Sequence, residues 1–135
     1  MLEEWILKKR EIEASKDSLK GSDLCNAKLM GAKLDGADLT DADLSAAYLI
    51  KADLSNASLV GADLTGAILS EANLSYADLA GAELMDTFLH GANLKGVVNL
   101  TCDQIELANF DNQTIFPDYI DIKWTEDGHC ECQER

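Results

Sequence analysis

The sequence has few basic residues, few aromatic residues and no long apolar run. It contains 11 Lys and Arg against 25 Asp and Glu among 135 residues, for a formal net charge of −14. Nucleic acids and anionic membranes would repel such a chain, so we expect no direct binding to either. No stretch reaches the roughly 18 apolar residues of a membrane span, and the N-terminus lacks the basic-then-apolar order of a signal peptide. We therefore expect a soluble, cytoplasmic protein.

Cysteine is also scarce, with 4 residues at uneven spacing. This spacing predicts no disulfide framework, and we interpret Cys25 and Cys102 as isolated thiols. His129, Cys130 and Cys132 have metal-compatible side chains but lack the C-x-x-C spacing of a strong zinc motif. These three residues are therefore either a weak metal site or part of a disordered tail.

The apolar residues are mostly leucine and alanine, since 47% of the chain is hydrophobic but only 6% is aromatic. Leucine recurs at every fifth position from Leu19 to Leu94, sixteen times in succession. Alanine stands two residues before each leucine from Ala27 to Ala82, and Thr87 interrupts this second series. A five-residue period gives no apolar stripe on a helix, and on a straight strand it changes face at every repeat. The chain must therefore bend once per repeat to keep its leucines inside.

Glycine is concentrated where such a bend is needed, two residues after a leucine. Four of the remaining positions of this kind carry Asn or Asp: Asn26, Asp41, Asn56 and Asp86. Gly, Asn and Asp are the residue types that best tolerate a positive φ and turn conformations. The pattern predicts a solenoid of short strands joined by corners.

The unit A-(D/N/x)-L-x-x, repeated over residues 17–96, resembles the repeat of the pentapeptide-repeat proteins. The resemblance implies an all-β solenoid, a right-handed quadrilateral β-helix of about four coils with short α-helices as caps at both ends. Its leucines would stack in the interior, and a coil spacing of about 4.8 Å would make the stack roughly 19 Å tall. Most family members have no assigned biochemical role, so the resemblance implies a protein-interaction or scaffold module.

The sequence at both ends departs from the repeat. Residues 1–16 have apolar side chains at spacings that suit a short amphipathic helix, so we predict an N-terminal helical cap. Residues 97–124 are predicted to form a C-terminal cap, partly helical and partly extended. Residues 125–135 are polar, and we expect a disordered tail.

The C-terminal cap begins with a recognisable helix signal. Thr101 is followed three residues later by Gln104, which is the pattern of a capping box. We predict a helix that opens at this point and continues to about Ala108. The alternation of Ile120, Ile122 and Trp124 predicts one extended segment that packs against the solenoid.

A twenty-residue coil would align two notable columns on the outer surface. The first, called here the acidic column, consists of Asp23, Asp43, Asp63 and Glu83. Solvated carboxylates would keep the solenoid soluble. The resemblance adds an alternative, mimicry of a DNA backbone toward a topoisomerase, as in the quinolone-resistance members that bind DNA gyrase. A stack of roughly 19 Å matches only about six base pairs, which weighs against mimicry.

The second feature, called here the apolar face, consists of Met30, Tyr48, Ile50, Ile68 and Phe88. An apolar row on a polar solenoid usually marks a covered or contacted surface. The N-terminal helix or residues 115–124 could cover it, another protein or a second copy could bind it, or it could be simply exposed. We hypothesise a partner surface.

No catalytic constellation is evident in the sequence. His90 stands alone beside the apolar face, and a uniform row of carboxylates lacks the two dissimilar environments that separate an acid from a base. The glycines of the repeat are at corners and form no phosphate-binding loop. We predict a protein that is not an enzyme and has no cofactor.

Overall fold

The computed structural model describes residues 2–135. The chain begins with helix α1, Glu4–Ala14, and a short 3-10 turn, Lys16–Ser18. Ile12 of α1 is buried against the first leucines, whereas Leu2 is 46% exposed. Among the described residues, no helix has the length and apolar character to cross a membrane.

The repeats form four columns of parallel bridges, because each residue before a leucine from Asp23 to Asp78 pairs with the residue twenty positions later. One column joins Asp23 to Asp43 and then Asp63, and the next joins Lys28 to Tyr48. The amide of Leu54 donates to the carbonyl of Asn73 at 2.7 Å, and this pattern recurs in each column. The polypeptide therefore winds as a solenoid with a twenty-residue period.

The interior of the solenoid is the leucine ladder that the five-residue period predicts. All sixteen leucines from Leu19 to Leu94 are buried, with at most 7% of their surface exposed. Burying a leucine side chain contributes about 1.5–3 kcal/mol, which makes this ladder the main source of stability. Thr87 is also fully buried in an alanine position, and its hydroxyl donates to the Leu64 carbonyl at 2.7 Å.

All sixteen corners have a positive φ, between 55° and 69°. The prediction for Gly, Asn and Asp is confirmed. The same conformation occurs at four corners whose residue types favour it less: Ala46, Lys51, Glu71 and Tyr76. A left-handed conformation costs such residues roughly 1–2 kcal/mol each, so burial of the neighbouring leucines must outweigh this local preference.

The sides of the solenoid are shorter than the strands that the sequence predicts. Each side contains an isolated one-residue bridge flanked by turn residues. A corner every five residues leaves no room for a longer ladder. Regular pairing between coils nevertheless continues through the backbone hydrogen bonds.

The register changes after Gly96, as the sequence predicts. Phe88 pairs with Asn109 and Asn93 with Ile115, which are separations of 21 and 22 residues. Helix α2, Cys102–Glu106, lies in the inserted segment. The capping box is confirmed, because the Thr101 side chain accepts from the Gln104 amide and the Gln104 side chain accepts from the Thr101 amide. The helix ends two residues earlier than predicted.

The expected disordered tail is instead part of a hairpin. Strand β1, Ile120–Trp124, pairs in antiparallel fashion with strand β2, Cys130–Glu134. Gly128 has a φ of 84° in the connecting turn, and the amide of Thr125 donates to the carbonyl of His129 at 2.8 Å. The Asp-Gly dipeptide between two alternating segments was the signal for this hairpin.

A disulfide joins Cys102 of α2 to Cys132 of β2, with a Cα–Cα distance of 5.6 Å. The interpretation of Cys102 as an isolated thiol was wrong. The uneven cysteine spacing gave no hint of this bond, because hairpin formation brings together two residues 30 positions apart. Cys25 and Cys130 are the free cysteines of residues 2–135.

Candidate interaction surface

The apolar face is built on one column of bridges. Tyr48 pairs with Ile68, and Ile68 pairs with Phe88. The amide of Tyr48 donates to the carbonyl of Ala27 at 2.9 Å, so the backbone under the face is fixed by the solenoid. Because the corners hold the position of each side chain, the three residues lie in successive coils, about 4.8 Å apart.

Two further residues of the apolar face, Met30 and Ile50, follow the ladder leucines on the same side and are half-buried. The corresponding position of the last coil carries His90, whose ring stacks against Phe88 with 6.2 Å between centroids. Sequence reasoning did not include His90 in this face. It extends the surface with a group that can donate or accept a hydrogen bond.

Neither end segment covers the middle of the apolar face. Tyr48 is 40% exposed and Phe88 is 39% exposed, while Ile68 between them is half-buried. Helix α1 reaches only the first coil, where Lys9 Nζ donates to the Met30 carbonyl at 3.3 Å. Trp124 of β1 packs edge-on against Phe110 at 5.8 Å, beyond the other end of the column. Of the three possibilities that the sequence raised for the apolar face, coverage by an end segment is excluded. A bound partner and simple exposure remain.

The acidic column is present as predicted, with Asp23, Asp43, Asp63 and Glu83 bridged in order. Its aspartates, however, take part in turns. The Asp43 carboxylate accepts hydrogen bonds from the Ser45 amide at 3.0 Å and the Ser45 hydroxyl at 2.5 Å. The Ser45 hydroxyl, and then its amide, hold the pKa of Asp43 below its ordinary value.

The same turn occurs on another side of the solenoid. Asp53 accepts from the Ser55 amide at 3.0 Å, and the neutral Asn73 accepts from the Ser75 amide at the same distance. Such side-chain-to-backbone turns explain why Asp or Asn so often precedes the leucine. This role for the residues of the acidic column was missed from the sequence, although the recurring D/N-L-S/T pattern carried the signal.

The three metal candidates do not form a site. Cys132 is bonded to Cys102, so its sulfur is not available as a thiolate ligand. His129 Nδ1 lies 3.0 Å from an Asp127 carboxylate oxygen in the exposed hairpin turn. Within residues 2–135, no group of three His, Cys, Asp or Glu side chains has a geometry that could hold a metal ion.

The solenoid with its four columns, buried leucine ladder and exposed faces defines a class of repeat protein. A sequence model of pentapeptide repeats matches this chain in eight copies, over residues 18–45, 47–86 and 69–98. The chain therefore belongs to the pentapeptide-repeat family. The fold of this family is a right-handed quadrilateral β-helix.

Several solved structures resemble this chain. A pentapeptide repeat protein from the Arabidopsis thaliana thylakoid lumen is 32% identical, with 81% of this chain and 72% of that chain covered and a TM-score of 0.61. A pentapeptide repeat protein from the cyanobacterium Nostoc is also 32% identical, with coverages of 86% and 88% and a TM-score of 0.30. Rfr23 from the cyanobacterium Cyanothece is 34% identical, with coverages of 67% and 64% and a TM-score of 0.44. The search of curated proteins found no match.

Proposed function

We propose that this protein is a non-enzymatic interaction module that binds another protein through the apolar face. The observation that carries the proposal is the exposed aromatic column. Tyr48 and Phe88 are each about two-fifths exposed, in the coils before and after that of Ile68, on a chain with a net charge of −14. Aromatic side chains in a contiguous row are the residues that most often dominate binding energy at protein interfaces.

The rigidity of the solenoid supports the same conclusion. Ile68, for example, is bridged to both neighbouring coils. Its amide donates to Ala47 and its carbonyl accepts from Leu49 in the preceding coil, and Phe88 of the next coil pairs with the flanking residues Ala67 and Leu69. A preorganised surface loses little conformational entropy when a partner binds. The apolar face can therefore act as a fixed template.

We also infer that the two ends of the chain are caps on a solenoid of about four coils. At the N-terminal edge, Glu13 accepts the otherwise free amide of Lys33 at 2.7 Å. At the other end, the Gln104 amide group donates to the carbonyls of Leu79 and Ala82 at 2.8 and 3.0 Å. Satisfied edge groups would prevent one solenoid from adding to another end to end.

The cytoplasmic location stays a prediction. The Cys102–Cys132 disulfide weighs against this location, because disulfides persist mainly in oxidising compartments. The alternative function, a DNA-like modulator of a topoisomerase, lacks support from the acidic column, because the aspartates of that column serve in turns.

Sedimentation velocity over a range of concentrations tests the version in which the partner is a second copy. We expect wild-type protein to associate and the triple variant Tyr48→Ser, Ile68→Ser, Phe88→Ser to remain monomeric. The matched control is the double variant Tyr76→Ser, Met85→Ser, which removes residues that are 56% and 48% exposed away from the apolar face. Identical monomeric profiles for all three proteins would exclude self-association and leave a different protein as the partner.

A further inference from the structure

Apart from its pairing with β1 and the ion pair of Arg135 with Asp121, strand β2 is held to the rest of the protein mainly by one covalent bond. None of its five described residues is buried. Its links to α2 are the Cys102–Cys132 disulfide and a long hydrogen bond of 3.5 Å from the Cys102 amide to a Glu134 carboxylate oxygen. Without the disulfide, little apolar burial would keep β2 against the helix.

The residues that lead into β1 are attached more firmly. Ile120 is 5% exposed, and the Tyr119 hydroxyl accepts from the Leu100 amide at 2.8 Å and donates to the Leu100 carbonyl at 2.9 Å. These contacts do not involve the disulfide. Opening of the disulfide would therefore let the paired hairpin move away from α2 while the start of β1 stays in place.

A cleft of about 450 Å³ lies between the hairpin, α2 and the last coil. Its lining includes the apolar residues Ile105, Phe110 and Trp124, and also Cys130 and the disulfide-bonded Cys132. The hairpin thus shields an apolar surface, and one of the two disulfide cysteines, Cys132, lines that same cleft.

We propose that the Cys102–Cys132 disulfide is a redox site for a dithiol reductant, and that its reduction releases the hairpin from α2 and opens the cleft while the solenoid stays folded. A thiolate of the dithiol attacks one sulfur of the disulfide, and the other cysteine leaves as a thiolate and takes up a proton. The second thiol of the reductant then resolves the mixed disulfide. The reductant ends as a disulfide, and two electrons and two protons have passed to Cys102 and Cys132.

Cys130 does not attack the Cys102–Cys132 disulfide from within the protein. It lies two residues before Cys132, on the same face of β2, and its thiol is free. Burial, and then the nearby Glu106 carboxylate, raise the pKa of the Cys130 thiol. Because the thiolate is the attacking species, Cys130 stays a poor nucleophile at neutral pH. Reduction of the disulfide therefore requires an external dithiol.

Thiol counting in denaturant provides the first part of the test. Protein purified without reductant should show two reactive thiols, Cys25 and Cys130, and dithiothreitol should raise the count to four. Four thiols before reduction would overturn the proposal.

Limited trypsin digestion, followed by mass spectrometry under reducing quench, provides the second part. Lys123 lies within the hairpin, paired with Glu131, whereas Lys51 lies at an exposed solenoid corner. Dithiothreitol should speed cleavage after Lys123 on the order of tenfold or more, because local opening becomes frequent. Cleavage after Lys51 should keep its rate.

Two variants complete the design. Cys132→Ser should be cleaved rapidly after Lys123 with or without dithiothreitol, and Cys130→Ser should respond to dithiothreitol as wild type does. The proposal is overturned by an unchanged rate after Lys123, by an equal acceleration after Lys51, or by loss of the response in Cys130→Ser.

Discussion

The side-chain amide of Gln104 donates a hydrogen bond of 2.8 Å to the main-chain carbonyl of Leu79. The same group reaches the Ala82 carbonyl at 3.0 Å, while its oxygen accepts from the amide of Thr101 at 2.8 Å. One residue therefore caps helix α2 and also satisfies two carbonyls of the solenoid. Replacement of Gln104 by Ala should cost about 1–3 kcal/mol in the free energy of unfolding, since it removes the cap and leaves partly buried acceptors unpaired.

Urea denaturation measures the effect of Gln104→Ala. The matched control is Gln113→Ala, because Gln113 is exposed and its amide group bonds only to the Asn112 side chain, at 3.4 Å. The control should change stability by less than about 0.5 kcal/mol. Equal effects of the two substitutions would show that Gln104 does not cap the solenoid.

Thr87 provides a test of the one polar side chain in the leucine and alanine interior of the repeats. Its hydroxyl donates to the Leu64 carbonyl at 2.7 Å, and the residue is fully buried. Thr87→Val keeps the shape but loses the donor, so we expect a loss of about 0.5–1.5 kcal/mol. A valine variant that melts at or above the wild-type temperature would mean that the hydroxyl is dispensable.

Alanine substitutions at two corner glycines distinguish the cost of a left-handed backbone from the cost of a steric clash with a neighbouring side chain. Gly36 and Gly96 both have a φ of 69°, but a Cβ at Gly96 would collide with the Tyr76 ring whereas a Cβ at Gly36 would meet open space. Gly36→Ala should cost about 1 kcal/mol from the left-handed conformation alone. Gly96→Ala should cost more, because the ring must also move. Thermal unfolding of the two variants decides the matter, and equal losses would contradict the close approach.

The reverse substitution should stabilise the protein. Lys51 has a φ of 60° at an exposed corner, a conformation that glycine adopts more easily. Lys51→Gly should raise the free energy of unfolding by about 0.5–1 kcal/mol, after the entropy that glycine adds to the unfolded chain is counted. Destabilisation of this variant would show that the solenoid imposes no strain at the corner.

The turn at Asp43 gives stability a dependence on pH. Hydrogen bonds from Ser45 lower the pKa of Asp43 in the folded protein from its ordinary value of 3.8. A carboxyl group whose folded pKa lies below the unfolded value stabilises the fold above the unfolded pKa, and this contribution disappears as pH falls through the folded pKa. Asp43→Asn should keep the turn, as Asn73 does at 3.0 Å from the Ser75 amide, but lose this contribution.

Urea unfolding between neutral pH and about pH 2 measures this difference. The stability of Asp43→Asn should decline less than that of wild type as pH falls below about 4. Parallel curves for the two proteins would mean that Asp43 gains nothing from being ionised in the folded state.

Local periodicity made much of this fold predictable. The leucine ladder, the corners rich in Gly and Asn, and the capping box of Thr101 with Gln104 are all encoded within a few residues of sequence. The disulfide between Cys102 and Cys132 is not, because it depends on a hairpin that first has to form. Strand β2 was missed for the same reason, since its pairing with β1 outweighs the polar composition of residues 125–135.

The candidate surface was predictable in position but not in exposure. The twenty-residue period places Tyr48, Ile68 and Phe88 in one column, as the structure has them. Whether an end segment folds over that column depends on the path of α1 and of the C-terminal hairpin, which no repeat specifies. The five-residue period places Lys51 at a corner, although its residue type gives no sign of the left-handed backbone found there.

Site-specific photo-cross-linking in cells of the native host tests the interaction proposal most directly. A photoreactive phenylalanine analogue replaces Phe88 in the apolar face or, as a matched control, the exposed aromatic Tyr76 at a corner. We predict one discrete cross-linked product from position 88, which disappears when Tyr48 and Ile68 are changed to serine, and no such product from position 76. No product from position 88, or the same product from both positions, would contradict a role for the apolar face in binding.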